Sequence, residues 1–168
     1  MTPSELMARM GELVVSATAG DVLCALGLGS CIGLALLDRQ AGVAGLAHIV
    51  LPSATDPAGT PGKFANFAVP ALIDVLVGLG ARRARLQAVM AGGASMFATA
   101  NDTLEVGRRN ERAVREALKI ARIPVTADDC GGNRGRTMRV YLEGGRVTVR
   151  LAGAAEGTLV PVARRAAA

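Results

Sequence analysis

Two residues stand in settings that can do chemistry: Cys31, and His48, the one histidine of the chain. Cys31 closes the run Leu26-Gly27-Leu28-Gly29-Ser30-Cys31 and leads into an apolar stretch over residues 32–37. Glycines around a thiol let the backbone take sharp, positive-φ turns that lift the sulfur clear of a core and leave room for a substrate. They also expose amide N–H groups, here near Gly29, Ser30 and Cys31, that can hold a developing oxyanion. A free thiol has a pKa of about 8.5 and needs a neighbouring imidazole or dipole to be a good nucleophile at neutral pH. His48 lies in Leu46-Ala47-His48-Ile49-Val50-Leu51, where a polar ring is out of place. Thiol and imidazole together carry out acyl transfer: thiolate attack, a thioester, then hydrolysis. The residues alone leave two readings open. Cys31 is either that nucleophile or a small buried apolar residue, as Cys24 is expected to be, and His48 is either its base or a core histidine bonded to backbone.

The elements around them must bring the pair together. Residues 32–37 and 43–51 are continuous apolar runs, and Asp38-Arg39-Gln40-Ala41-Gly42 between them has the length and residue types of a hairpin loop. Pairing of these runs would set His48 beside Cys31. Residues 11–17 and 22–26 read as short strands around a Gly20-Asp21 turn, and 53–62 as a surface loop. A helix is expected from about Phe64 or Ala68 to Leu79, with Pro70 in its first turn and Gly80 as terminator. A second helix spans roughly 109–123, with Val114, Ala117, Leu118 and Ala121 as its apolar stripe and Pro124 closing it. Strands are expected at 86–90, 125–127, 137–142 and 146–151, the last two joined as a hairpin through Glu143-Gly144-Gly145. Residues 1–151 form one domain, and 152–168 read as a frayed tail. Helices beside many hairpin-linked strands give a mixed α/β fold rather than a doubly wound parallel sheet.

Composition bounds the function further. A chain of 168 residues, 51% apolar and 20% charged, can bury a real core and is not disordered. Its 21 glycines and 7 prolines show no collagen-like period. With only Phe64, Phe67, Phe97 and Tyr141 as aromatics, stacking platforms for bases or sugars are disfavoured. The net charge is +5, and 17 of the 19 basic residues are arginine, clustered at 82–85, 108–115 and 134–139. Such a balance attracts anionic partners, but an Arg-, Ala- and Gly-rich chain also follows from a GC-rich genome, and nucleic-acid binding is the least favoured reading. Residues 1–10 carry Glu5 and Arg9 and do not resemble a secretory signal, and the uncharged stretch 22–37 is too short to span a bilayer. Three cysteines without paired spacing fit a reducing cytoplasm. Asp128-Asp129-Cys130 offers ligand types but lacks partners at metal-site spacing. The Gly92-Gly93 pair has no Lys-Ser/Thr to follow it, and Ser95 lacks the pattern of a nucleophile elbow. No metal or cofactor is expected.

The ordered motifs carry a more specific signal. Leu26-Gly27-Leu28-Gly29-Ser30-Cys31, then Ala47-His48-Ile49-Val50-Leu51-Pro52, resembles the CheD family of chemoreceptor glutamine deamidases. Further matches are Lys63-Phe64-Ala65, Gly92-Gly93-Ala94-Ser95-Met96-Phe97, Val106-Gly107-Arg108-Arg109-Asn110, and the segment from Asp129-Cys130-Gly131-Gly132 through Arg134-Gly135-Arg136. The similarity covers about residues 11–150. It implies a three-layer α/β/β sandwich like that of the cytotoxic-necrotizing-factor type deamidases. It implies hydrolysis of chemoreceptor glutamine side chains to glutamate, with Cys31 as nucleophile and His48 as general base. It also implies docking on a CheC-type phosphatase and a place in the cytoplasm.

One position departs from the family pattern. The family has a Thr as third catalytic residue six positions before the cysteine, where this chain has Ala25. A methyl group cannot orient an imidazole, although a backbone carbonyl can. The loss would lower the rate, move the role elsewhere, or mark a chain that only binds. Retention of both Cys31 and His48 favours an active enzyme over a CheD-like adaptor for receptors or phosphatase.

Overall fold

The computed structural model describes residues 2–95 and 101–163, with side chains from 106 onward in the second segment. Met96 and Phe97 of the glycine-rich motif, and the last residues of the expected tail, lie outside the described residues. Ten strands and two helices follow in the order β1 (Glu5–Met7), β2 (Leu13–Ser16), β3 (Val22–Leu28), β4 (Ile32–Asp38), β5 (Val43–Ile49), α1 (Ala65–Gly78), β6 (Gln87–Gly92), α2 (Asn101–Ala121), β7 (Val125–Cys130), β8 (Arg136–Tyr141), β9 (Arg146–Leu151) and β10 (Glu156–Val160). They build two five-stranded sheets, one ordered β1-β3-β8-β9-β10 and the other β2-β5-β4-β6-β7. Each is mixed: β1 runs parallel to β3 and β6 parallel to β7, and the remaining pairs are antiparallel. The expected mixed α/β class and the β4–β5 and β8–β9 hairpins are therefore present.

The hydrophobic pattern explains the layering. Strands β4 and β5 are buried at every residue, as a continuous apolar run requires when both faces are covered. Ile32, Leu34, Leu36, Ala47 and Ile49 pack with Ala68, Val69, Leu72, Ile73 and Leu76 of α1 and Val114 and Leu118 of α2. The alternate residues Cys31, Ala35, Leu37, Ala44 and Leu46 pack with Leu23, Ala25, Leu28, Met138, Val140, Val147 and Val149 of the other sheet. The order is thus helices, central sheet, outer sheet. Strand β8 alternates buried and half-buried residues because its second face looks outward. No helix among the described residues is long and apolar enough to cross a membrane.

Three expectations are corrected. Pro70 lies inside α1, in its second turn, because the helix starts at Ala65. Proline removes an amide there, but it sits on the exposed side, where the carbonyl of Asn66 can turn to solvent. Helix α2 begins at Asn101, about two turns earlier than the apolar stripe suggested. Gly107 and Asn110, neither of them an apolar signal, continue its buried face toward the N-terminus. Within residues 152–168, Glu156–Val160 forms β10 and pairs antiparallel with β9, so the sheet extends beyond the span expected to be ordered. Edge pairing is made by backbone groups, which a weak side-chain pattern does not report.

At the far end of the hairpin from the Cys31 turn, Asp38 is fully buried and salt-bridged to Arg85 at 2.8 Å. Burial pushes its carboxyl up, but Arg85 and the amides of Arg82 and Ala41 outweigh that and hold it at about 2. The unfolded chain binds this proton more readily, so stability from Asp38 is present above about pH 4 and is lost as pH falls toward 2. Asp38→Asn is expected to destabilise the fold by about 2–3 kcal/mol, read by urea unfolding at neutral pH, and to flatten the acid limb of the stability curve.

Candidate active site

Strand β3 belongs to the outer sheet and β4 to the central one, so residues 29–31 are the crossover between layers. A register shift between Ala25 and Leu28 and a positive φ of 64° at Gly27 let the chain make that turn. Gly29 donates back to the Gly27 carbonyl at 3.0 Å. Cys31 follows, 7% exposed, with its side chain in the layer between the sheets.

The hairpin register decides where His48 goes. Gly33 pairs with His48 and Ile32 with Ile49. Residues directly opposite share a face, and so do residues two apart along one strand. His48 therefore lies on the same face of the sheet as Gly33, the face that looks into the layer where Cys31 packs. Gly33 carries no side chain between them.

His48 is 2% exposed, and its Nδ1 lies 3.1 Å from the carbonyl oxygen of Ala8. A carbonyl only accepts, so Nδ1 must carry the proton, and the neutral ring presents Nε2 as the basic atom. Ala8 is itself held, its amide donating to the Cys24 carbonyl at 2.8 Å. The group that orients the imidazole is thus a backbone carbonyl from just beyond β1, and Ala25, buried opposite Met138, takes no part in it. Burial lowers the pKa of His48, with the Ala8 bond working weakly the other way. Burial raises the Cys31 thiol, and its own amide, which donates toward the sulfur, opposes that shift. At rest both groups are neutral. Burial also pushes Cys24 up to about 11 and Cys130 up to about 12.

The turn is pinned from behind by the other glycine-rich motifs. Ala94 donates to the Gly29 carbonyl at 2.8 Å and Gly93 to the Cys31 carbonyl at 2.9 Å. Asn110 of α2 donates to the Ser30 carbonyl at 2.9 Å. Gly131 donates to Gly92, and Ser95 to Gly132. Gly107 lets α2 approach so closely that a Cβ there would stand 2.6 Å from the Gly93 oxygen. Segments far apart in sequence, around residues 29, 93, 107 and 131, therefore meet at one place, the cysteine turn.

Four buried side-chain atoms among the described residues have no hydrogen-bond partner: His48 Nε2, Ser95 Oγ, Asn110 Oδ1 and Arg136 Nε. Asn110 bonds the turn itself through its Nδ2, and Arg136 reaches the neighbouring strand through an Nη1 contact of 3.5 Å with the Gly92 carbonyl. Because His48 Nε2 is among the unpaired atoms, the thiol–imidazole hydrogen bond is not made in this structure.

Elsewhere the ligand-type and basic residues pair with one another. Asp128 meets Arg115 at 3.3 Å and Asp129 meets Arg136 at 3.2 Å. Arg139 lies between Glu5 and Glu156. Of the residues the sequence singled out, Gly29 and Ser30 form the turn that leads into Cys31, and His48 faces the same layer between the sheets with no hydrogen bond to the thiol. Sequence reasoning gave no role to Ala8, which has no side-chain signal, or to Asn110, which stood in the Val106–Asn110 motif without a stated part.

The family model described as CheD chemotactic sensory transduction matches residues 50–151. A Clostridium botulinum protein named "Probable chemoreceptor glutamine deamidase CheD" is 40% identical over 157 residues, covering 91% of this chain and 96% of its own. A protein of the same name from Symbiobacterium thermophilum is 43% identical, covering 89% of this chain and 94% of its own. The Clostridium alignment leaves only about a tenth of the chain outside, too little to exclude positions 31 and 48. Among solved structures, the hypothetical protein YfiH of Bacillus licheniformis aligns at 15% identity and a TM-score of 0.46, over 72% of this chain and 49% of its own. On the model match and the length and identity of these alignments, the chain belongs to the CheD family.

Proposed function

We propose that this protein is a chemoreceptor glutamine deamidase in which Cys31 is the nucleophile and His48 the general base. One observation carries the reading: a buried imidazole, fixed through Nδ1 on the Ala8 carbonyl, keeps an unpartnered Nε2 on the sheet face that bears the thiol. The relatives' names supply the substrate class.

The chemistry follows from the two neutral groups. Substrate entry brings the carboxamide carbon of a glutamine against Sγ, and Nε2 takes the thiol proton as the S–C bond forms. The carbonyl oxygen becomes an oxyanion, held by the amides of Ser30 and Cys31. Nε2–H then gives its proton to the departing nitrogen, the C–N bond breaks and ammonia leaves, with a thioester remaining on Cys31. Water loses a proton to Nε2, adds to the thioester, and the C–S bond breaks to release glutamate and the thiol. No step needs a cofactor.

Docking on a CheC-type phosphatase, a cytoplasmic site of action and kinship with the cytotoxic-necrotizing-factor type deamidases belong to the same proposal. The layer order of helices, central sheet and outer sheet supports the last. A second reading, a CheD-like adaptor that binds without deamidating, is favoured by Ala25, which offers the imidazole no hydroxyl. The Ala8 carbonyl, already bonded to Nδ1, weighs against it. Incubation with a chemoreceptor cytoplasmic fragment and peptide mass spectrometry separate the two. Glutamine-to-glutamate conversion supports the deamidase, and tight binding without conversion supports the adaptor.

Because burial lowers the pKa of His48, the acid limb of kcat/KM is expected to have its midpoint below about 6.5, the ordinary histidine value. The unfolded chain binds this proton more readily than the folded one. The His48 contribution to stability is therefore complete above about pH 6.5 and is lost as pH falls toward the lowered value. A rate profile with its midpoint at or above 6.5 would contradict the neutral buried base.

A further inference from the structure

We infer that Asn110 is a positioning residue that turns the Ser30–Cys31 peptide so that its N–H faces the reacting oxygen, and ties that turn to the strand bearing His48. The inference rests on the proposed thiol chemistry and extends it to a residue 80 positions from Ser30 in sequence.

Asn110 is fully buried on α2. Its Nδ2 donates both hydrogens, to the Ser30 carbonyl at 2.9 Å and to the Val50 carbonyl at 2.9 Å. Ser30 immediately precedes Cys31, and Val50 lies two residues beyond His48. One amide group therefore bridges the end of the nucleophile turn and the end of the base-bearing strand.

Peptide planarity turns this bond into a statement about the active site. The described chain has no cis peptide, so the C=O and N–H of each peptide unit point in opposite directions. With the Ser30 carbonyl held on Asn110, the Cys31 N–H is aimed away from α2. With the Gly29 carbonyl held on Ala94, the Ser30 N–H is turned away in the same manner. The Cys31 N–H and the sulfur belong to the same residue, so an oxygen on a carbon bonded to the sulfur falls close to that N–H. Donors fixed before the reaction cost no reorganisation when the charge develops.

Within the chain only the donor end of this amide is used. Gly107, three residues earlier on the same helix, has a backbone close enough to Gly93 and Ala94 that no side chain fits, so α2 is brought against the turn where Asn110 acts.

The test compares two reactions of the same thiol. Acylation of Cys31 by p-nitrophenyl acetate passes through an oxyanion: the S–C bond forms, nitrophenolate leaves with its electron pair, and His48 takes the thiol proton. Alkylation by iodoacetamide displaces iodide and develops no oxyanion. Asn110→Asp keeps the shape but loses both donors, and Asn110→Ser serves if the aspartate does not fold. Relative to the intact protein, Cys31-dependent acylation is expected to slow about 10- to 100-fold, less than the roughly 10²- to 10³-fold cost of removing an oxyanion donor outright, with alkylation changed less than about twofold. Thermal unfolding, followed alongside, identifies any loss due to fold. Unchanged acylation, an equal fall in both reactions, or no Cys31-dependent acylation in the intact protein overturns the inference. Neither reagent is a glutamine. An Asn110-dependent acylation in a protein that leaves receptor glutamines untouched would therefore sink the deamidase and spare the positioning role.

Discussion

Cys31→Ala is expected to abolish glutamine deamidation, a loss of at least about 10⁴-fold, while leaving the fold nearly as stable as before. The size of the effect follows from what the sulfur does. On the proposed mechanism it forms the bond that splits amide hydrolysis into two easier steps, a role no other group at the turn fills. Cys24 is buried in β3 with its thiol pushed up to about 11, and Cys130 ends β7 with its thiol at about 12, so neither stands in readily. The structural cost is small, because truncation of one sulfur in the layer between the sheets removes little volume, about 1 kcal/mol. Rate and stability are therefore expected to separate cleanly. Product analysis by mass spectrometry and thermal unfolding of the same preparation check both halves.

Gly92→Ala is expected to do the opposite and damage site and fold together. Gly92 takes a φ of 115°, a conformation that L side chains rarely adopt. A methyl group there would also collide with the carbonyl oxygen of Cys31, a backbone atom that cannot rotate away. Backbone strain and overpacking each cost roughly 1–3 kcal/mol, so a loss of about 3 kcal/mol or more is expected in urea unfolding. In whatever fraction remains folded, the Cys31 carbonyl must shift, and with it the bond from Gly93 that holds the turn. Deamidation per folded molecule is expected to fall by at least about tenfold, since small misplacements of reacting groups carry large rate penalties. Near-native stability with full activity would show that the turn is more compliant than its packing indicates.

These residues also mark how far the sequence could be read. The hairpin of β4 and β5 was legible because two apolar runs flank a five-residue polar loop, and that hairpin is what puts His48 across from Gly33. The type of α1 and the end of α2 were legible from apolar spacing and from Gly80 and Pro124. The start of α2 was not, because its buried face there is carried by Gly107 and Asn110, chosen for close approach and hydrogen bonding rather than hydrophobicity. Strands β1 and β10 were missed for a related reason: they are short edge strands held by backbone pairing to β3 and β9. At the proposed site, side-chain chemistry pointed to Cys31 and His48. The groups that hold them are backbone carbonyls and amides of Ala8, Gly93 and Ala94, which any residue type can supply. Ala25 shows the converse: the position that departs from the family pattern is buried in β3, and the group that meets Nδ1 of His48 is the Ala8 carbonyl from another strand end.

The central claim is that a thioester forms on Cys31 during turnover, and it is tested by acid-quenching the protein with a glutamine-containing receptor fragment within the first turnover. Proteolysis and mass spectrometry of the quenched sample then locate any covalent adduct. The expected result is a receptor peptide bonded to the fragment containing Cys31, lost on hydroxylamine treatment and absent in Cys31→Ala. Deamidation that proceeds with no adduct at Cys31, or that persists in Cys31→Ala, would contradict it.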